Sequence, residues 1–505
     1  MTLTIKDLST FCKKKGLVYP SSEIYGGIAG FWDLGPVGVE LMNALKSSWW
    51  HYFVRSRDDI VGLDASIISH PKAWEASGHL ECFGDLMLVC SKCKNKVRAD
   101  HFIEEKLGKP ADGMIADEIN AVIKKNKLTC PQCGSEFKEA HNFNLLFETK
   151  VGASSDTHNV AYLRGETAQA MFMNFRLVAE TSRLQLPFGI AQIGRCFRNE
   201  ISPRDFLFRS REFHIGEIEY FLHPDEKKCS LLTKKHLDLE LNLLDAAMQE
   251  KSKKTAAKSK PAKTKIAEML KRKLLTEWHA YFLAEQYLWL LQLGLNPAKL
   301  KVREHVTTEL SHYSSATFDI DYEFPFGSKE IAGNANRGQF DLKQHASFSK
   351  TKMELFDETH KQSILPAVIE PTFGLERVFL ALLFDAYDDD TKRGNIVLKL
   401  DKKLAPFYCA VFPLVKNKEQ VAEKAKEVYQ LLKEAHHCYY DDSGSIGRRY
   451  ARADELGVPY CITIDFESLD DGSVTIRDRD STAQERVKIK ALKEKLTALY
   501  TLKGR

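Results

Sequence analysis

The stretch Gly194–Phe221, GRCFRNEISPRDFLFRSREFHIGEIEYF, constrains this chain more than any other. Two strand-like segments flank a polar loop. The first ends in Phe197-Arg198-Asn199-Glu200. The second, Arg211–Phe221, alternates Phe213, Ile215, Ile218 and Tyr220 with polar partners, the period of a half-buried strand. The loop between them carries Arg204 and Arg209. Guanidinium groups present a planar donor fork that matches phosphate oxygens. From the pattern alone, a salt-bridged hairpin on a solvated face reads as well as an anion-binding one.

A second local signal comes from cysteine spacing. Cys90-Ser-Lys-Cys93 and Cys130-Pro-Gln-Cys133-Gly form two CxxC knuckles. Each pair can offer two thiolates to one ion, and two pairs complete a tetrahedral site. Four thiolates leave no position open for substrate, so the expected Zn²⁺ is structural; unconnected structural or redox cysteines are the alternative. The segment between the knuckles is longer than a minimal zinc ribbon and predicts helical content from about Asp100 to Lys125. The chain has 11 cysteines, an odd number and otherwise scattered, which suits reduced thiols and a cytoplasmic protein.

Length and composition set the outer bounds. The 505 residues suggest about three domains, with 44% hydrophobic and 28% charged residues. The net charge of +4 does not by itself announce a nucleic-acid partner. No apolar run approaches the ~20 residues of a membrane span, and the first residues lack the apolar core of a signal peptide.

The rest of the chain reads in blocks. Ile60 to Pro71 predicts an apolar strand. Phe143–Phe147 and the Arg-rich hairpin predict core strands. Residues 224–300 turn helical and charged, with a low-complexity Lys-rich stretch, Lys251–Lys265, read as a flexible solvated loop that could also contact tRNA backbone. Strands return at 301–325. Val368–Arg377 predicts a strand, a turn at Gly374 and a helix carrying Arg377 near its start. From Pro406 a separate α/β unit begins: Phe407–Phe412, Pro459–Asp465 and Ser473–Arg477 as strands, and Lys418–His436 as a helix. Its two arginine runs, Ser445–Tyr450 and Arg477–Asp480, read either as salt bridges on a solvated face or as a patch for RNA backbone and unpaired bases.

Taken in order, these segments resemble the three motifs of class II aminoacyl-tRNA synthetases: Ile60 to Pro71, the F-R-x-E hairpin, and the Gly374-Leu375-Glu376-Arg377 turn. Further runs resemble the glycyl-tRNA synthetases of the single-chain, homodimeric type: Ser21–Gly27, Trp74–His79, Arg98–His101, Phe143–Phe147, Arg164–Gln169 and Asp341–His345. The resemblance covers almost the whole chain, apart from the charged stretch near 225–300. It implies an α+β fold: a class II antiparallel-sheet catalytic core (residues 1–85 and 141–400), a zinc-knuckle insert (86–140), and a C-terminal α/β anticodon-binding domain (405–505).

The resemblance also implies a two-step reaction. Glycine attacks the α-phosphorus of ATP to give glycyl-adenylate and pyrophosphate, and the glycine then passes to the 3′ end of tRNA(Gly). A carboxylate is already a nucleophile, so the protein's part is positioning and charge neutralisation. Carried over residue by residue, Arg198 and Arg377 are catalytic, with Arg198 on the α-phosphate and Arg209 and Arg377 on the distal phosphates. Asn199, Glu200, Phe208, Phe213 and Gly374 complete the nucleotide site, with adenine stacked on Phe213. Glu330, beside Ile331, would hold Mg²⁺. Glu166, Glu217 and Glu370 would take the glycine ammonium, Arg98 would answer its carboxylate, and Thr372 would border the Cα pocket. A homodimer is implied because the first motif lies at the subunit interface of this class. No membrane role is implied.

The chain departs from the family pattern at Gly165, where Pro is usual, at Ala170, where Gly is usual, and at Thr372, where Ser is common. Two other readings stand beside this one. One is a non-catalytic relative kept as a nucleic-acid-binding module, although such a protein would be expected to lose the arginines retained here. The other is a synthetase for a different small amino acid.

Overall fold

Alternating apolar residues in the hairpin demand a partner layer on one side, and the computed structural model supplies one on each. It describes residues 3–108, 111, 113–152, 159–255, 260–307, 309–310, 314–358 and 361–501. The central element is a nine-stranded sheet. Its strands in chain order are β1 (Ile60–Gly62), β2 (Phe188–Phe197), β3 (Glu212–Leu222), β4 (Glu240–Leu244), β5 (Ala262–Lys265), β6 (Leu300–Glu304), β7 (Ala316–Phe324), β8 (Gly327–Gly338) and β9 (Ala367–Gly374). Across the sheet the order is β5-β4-β6-β7-β8-β9-β3-β2-β1. Pairing is antiparallel except for β4 with β6 and β2 with β1.

One face of the sheet carries the main core. Ile218 and Tyr220 of β3, Ile369 and Phe373 of β9 and Ile331 of β8 pack there in the main apolar cluster. Helix α1 (Pro36–Trp50) covers part of this face with Val37, Leu41, Leu45 and Trp49, spaced four residues apart. Proline at its first position lacks the N–H that would otherwise be orphaned there. The opposite face bears Val368 and Phe221, closed by helix α2 (Ala168–Thr181) through Phe172 and Phe175. Strand β3 is therefore buried on both faces from Ile215 to Leu222, not half-buried as its alternation suggests. Its polar positions, Glu217 and Glu219, point into the protein rather than into water.

Several local expectations change. The Ile60–Pro71 segment is not one strand: β1 joins the main sheet, Ile68–Ser69 pairs elsewhere with Val160–Leu163, and Pro71 opens a helix. Phe143–Phe147 is likewise split between two small sheets, His141–Asn144 and Phe147–Lys150, at Leu145-Leu146. The stretch near 225–300 is not a solvated helical insertion. β4 and β5 extend the main sheet, and helix α3 (Glu277–Gln292) is nearly all buried, against β8 and β9. Charge in the flanking sequence masked that apolar helix. The Lys-rich segment is helical up to Thr255 and becomes β5 at Ala262, with Thr264 buried; residues 256–259 lie outside the described residues.

The insert has a core of its own. A three-stranded sheet (Lys96–Arg98, Gly84–Val89, His141–Asn144) carries the helices Ala99–Leu107 and Ala116–Lys125 over Leu88, Phe102, Ile103 and Ile119. The C-terminal unit is a five-stranded mixed sheet centred on Cys409–Pro413 and Tyr460–Ile464, with helices Glu419–Lys433, Ile446–Glu455 and Leu492–Thr501. Among the described residues no helix is long and apolar enough to cross a membrane.

Candidate active site

The strand register builds the site. β3 pairs with β9 so that Glu217 lies beside Thr372, and β9 pairs with β8 so that Glu370 lies beside Ala335. Directly opposed residues of an antiparallel pair share a face. Glu217, Thr372 and Glu370 therefore converge on the face away from the main core.

A cleft of about 100 Å³ opens above this face, lined by Arg198, Glu200, Phe208, Arg209, Phe213, Glu330, Thr372, Gly374 and Arg377. Apart from Thr372, expected in the glycine pocket, these are expected nucleotide-site residues, brought together from the hairpin, β8, β9 and the start of helix α4 (Leu375–Ala386). Arg198 Nε donates to the Gly165 carbonyl at 3.2 Å, and its guanidinium lies over the rings of Phe83 and Phe213, at 5.2 and 5.4 Å from their centroids. Arg377 sits over Phe208 at 4.6 Å and donates to the Glu330 carboxylate at 3.0 Å. Aromatic faces hold guanidinium groups while leaving their edges able to donate. Gly374 gives Arg377 room: a Cβ there would meet Arg377 Cδ at 3.1 Å, so the arginine side chain would have to shift.

Arg209 links the cleft to the insert. Its Nε donates to Glu200 at 2.6 Å, and its Nη2 lies 3.3 Å from Asp85. Arg98 donates to the same Asp85 at 2.8 Å and grips Asp100 through Nε and Nη2, both at 2.7 Å. Arg98 thus reaches the nucleotide side of the site through a shared carboxylate. Asn199 is tied by its backbone N–H to Leu145 O at 2.7 Å, beside the cleft. Ile331 is buried in the main core, so its side chain is a floor for β8 rather than part of the lining.

The inner end of the cleft is a carboxylate cage. Thr372 Oγ1 donates to Glu217 Oε1 at 3.0 Å, and the Thr167 N–H donates to Oε2 at 3.1 Å, joined by the Thr167 hydroxyl. Glu166 accepts from Gln169 at 2.9 Å and lies 3.2 Å from His79. Burial pushes the Glu166 carboxyl up, but His79, Arg337 and Gln169 outweigh it and hold it below the usual carboxylate range. Burial raises Glu217, and it raises Glu370 to about 8 against the pull of Arg337, with Glu217 and Glu166 adding to the rise.

The sequence reading passed over Arg337. This side chain is 2% exposed, donates to Asp341 from Nε at 2.7 Å and Nη2 at 2.8 Å, and pairs with Glu370. It is the cage's guanidinium. The signal available was an arginine amid the small residues Ala332–Gly338, four before Asp341. Asp319 and Asp321 were also passed over. They sit on β7, with Asp321 opposite Glu330, and burial raises both, Asp321 to about 6. Their signal was the alternation Phe318-Asp-Ile-Asp-Tyr322.

The four knuckle cysteines meet, with all four Sγ atoms within 4.8 Å of one another. Cys90 and Cys133 are 3.4 Å apart, and Cys93 and Cys130 are 3.6 Å apart. Tetrahedral thiolates around Zn²⁺ at ~2.3 Å would stand ~3.8 Å apart, so the donor set fits. In the C-terminal unit the arginine runs resolve differently from either expectation. Arg449, Arg477 and Arg479 are buried, bonded to backbone carbonyls and to Asp454. These three are therefore not part of a solvated face, whereas Arg448 of the first run is exposed.

Known proteins share this arrangement. A family model described as "Anticodon binding domain" matches residues 408–499. The glycine–tRNA ligase of Ruminiclostridium cellulolyticum is 42% identical over 498 residues, covering 97% of each chain. That of Geobacillus thermodenitrificans is 41% identical over 502 residues, covering 98% of this chain and 97% of the relative. A prolyl-tRNA synthetase from Cryptosporidium parvum, solved with halofuginone and AMPPNP, superposes with a TM-score of 0.58 at 15% identity, covering 98% of this chain and 75% of that one, a likeness of fold. With near-complete coverage at this identity, the chain belongs to the glycine–tRNA ligase family.

Proposed function

We propose that the chain activates glycine with ATP and transfers it to tRNA(Gly), using the cleft and the cage as one site. The observation that carries this reading is the Thr372–Glu217 hydrogen bond, which joins an arginine-lined cleft to a buried carboxylate cage. A polyanion and a small cation-bearing amino acid need such opposite surroundings side by side.

ATP would lie with adenine on Phe213, its edge toward Glu200 and the backbone near Asn199 and Phe208. Arg198 would meet the α-phosphate, where charge builds as the glycine carboxylate attacks, and Arg209 and Arg377 would meet the distal phosphates. Preorganised donors of this kind are each worth ~3–4 kcal/mol of barrier. Glu166, Glu217 and Glu370 would hold the ammonium, with Arg98 on the rim toward the carboxylate. The methyl of Thr372 and the hydrogen-bonded Glu217 leave little space beyond Cα, which would exclude larger side chains by collision.

Glu330 would hold Mg²⁺, with Asp319 and Asp321 on the paired strand as further hard oxygen donors; Asp321 Oδ1 is buried with no hydrogen-bond partner among the described residues, and the ion when bound would neutralise phosphate charge. Four thiols fit a structural Zn²⁺ at Cys90, Cys93, Cys130 and Cys133; hydrogen bonds from Ser135, with Cys93 and Cys90, already lower the Cys133 thiol to about 6. Separate apolar clusters in each part support a division into a catalytic core (1–85, 141–400), an insert (86–140) and an anticodon-binding unit (405–505). Exposed Ile67 and Ile68 in the first motif, with exposed Ile24, Tyr25 and Ile28 in the N-terminal segment, support a homodimer that would cover them. Its free thiols suit the cytoplasm.

ATP–pyrophosphate exchange with each of the twenty amino acids tests the reading. Exchange with glycine alone is expected. No exchange with any amino acid would favour the non-catalytic alternative, and exchange with alanine or serine but not glycine would overturn the specificity.

A further inference from the structure

Glu219 is a carboxyl that the reaction as described does not use. It lies on β3 two residues after Glu217, on the same face, fully buried at 0% exposure. Neither of its oxygens has a hydrogen-bond partner among the described residues. Glu217, Glu219 and Glu370 each place a carboxylate oxygen within 4.8 Å of the others. The charged and titratable groups that face Glu219 are Glu370 on β9, Arg337 on β8, Glu217 on its own strand and Asp341 on the helix Phe340–Ser349.

Of these, only Arg337 is a cation, and its fork is engaged by Asp341 and Glu370. Glu217 is served by the hydroxyls of Thr167 and Thr372. A bare buried carboxylate with no donor is far costlier than the neutral acid. Burial and the neighbouring Glu370 both drive Glu219 well above the ordinary carboxylate range.

We propose that Glu219 is a positioning residue that keeps one proton in the empty cage, and that the ammonium of glycine displaces it, so that glycine binds with net release of a proton. The inference rests on the cage being the glycine site. The balance is simple. The Glu219 O–H breaks, the proton passes to solvent buffer, and no other bond forms or breaks. An ammonium brings a positive charge and three N–H donors to three carboxyls. A cation within ~5 Å lowers a neighbouring carboxyl by ~1–3 pH units, which removes the reason for Glu219 to stay neutral.

The test is calorimetric titration of the full-length protein with glycine, in buffers of different ionisation enthalpy at one pH near neutrality. The expected result is release of about one proton per glycine bound, as the linkage of a fully displaced proton requires. The KM for glycine in pyrophosphate exchange should fall as pH rises from about 6 to 8, by up to tenfold per unit, with kcat little changed. Glu219→Gln keeps the shape of the neutral acid, and it should lose both the proton release and the pH slope while still binding glycine. Glycine binding to the unsubstituted protein without proton release would overturn the inference whatever the variant does. So would undiminished release in a folded Glu219→Gln variant, since another group would then be the source. Absence of any glycine binding would instead overturn the reading of the cage itself.

Discussion

The catalytic cleft and the C-terminal unit both carry runs of arginine, and the fold uses them in opposite ways. In the cleft, Arg377 keeps 28% of its side chain exposed, and Arg198 lies over two aromatic rings. In the C-terminal unit, Arg477 grips Asp454 through two bonds of 2.8 and 3.0 Å. Arg479 donates to the carbonyls of Gly457 and Leu400, and Arg449 to those of Leu414 and Gly444. Guanidiniums held by aromatic faces retain donors for a ligand, whereas those saturated by carbonyls and carboxylates brace the fold. Arginine content alone does not distinguish the two, nor does an aromatic neighbour, since Arg477 also lies over Tyr450 at 4.9 Å; the share of donors already taken does.

Substitution should separate them. Arg198→Ala is expected to cut glycine-dependent pyrophosphate exchange by a factor of about 10²–10³ or more, with thermal unfolding unchanged. Near-normal exchange would make Arg198 a bracing residue like Arg449. Arg477→Ala should do the reverse. It leaves Asp454 buried with only Arg393, 3.2 Å away, and should destabilise the C-terminal unit by about 3 kcal/mol, read by urea unfolding. Exchange by the folded fraction should stay within twofold. A large loss of exchange with unchanged stability would erase the distinction.

The same contrast explains what could be read in advance. The hairpin, the third motif and the zinc knuckles were legible because their spacing is set by local geometry: a strand period of two, a glycine at a turn, and two residues between thiols. Arg337 was not legible, because its role depends on β8 pairing with β9 and on Asp341 turning back toward it. The helix Glu277–Gln292 was hidden since its apolar surface faces sheet on one side and further helices around it, leaving little amphipathic contrast. The buried arginines of the C-terminal unit read as surface because a sequence shows charge but not the carbonyls that will meet it.

Within the cleft, one titration sharpens the comparison further. Glu370 is raised from the ordinary carboxyl value to about 8, chiefly by burial. A carboxyl raised on folding binds more protons in the folded state, so the stability it contributes is complete below about 4.5 and is lost as pH rises toward 8. Stability of the unsubstituted protein should therefore fall over that window with a component of up to about 1.4 kcal/mol per pH unit, and Glu370→Gln should remove that component. Equal slopes in the two proteins would leave Glu219 as the cage's one protonated carboxyl.

The smallest effect concerns Thr372, whose hydroxyl holds Glu217 at 3.0 Å. Serine keeps that donor and removes one methyl from the border of the cage. If the hydroxyl orients Glu217 and the methyl only fills space, Thr372→Ser should leave glycine activation within about tenfold, or 1.4 kcal/mol. Selectivity is the finer readout. A methyl that excludes side chains by collision should, when removed, let alanine-dependent exchange rise, by the ~1–3 kcal/mol that a single methylene is worth. A loss well beyond tenfold for glycine would mean that the methyl also fixes the threonine rotamer and, through it, Glu217. β-Branched residues have restricted χ1, so threonine is pre-set to point its hydroxyl where serine must be held. Thr372→Val keeps the branching and deletes the donor, and it should lose more activity than Thr372→Ser if orientation of Glu217 is what the position supplies.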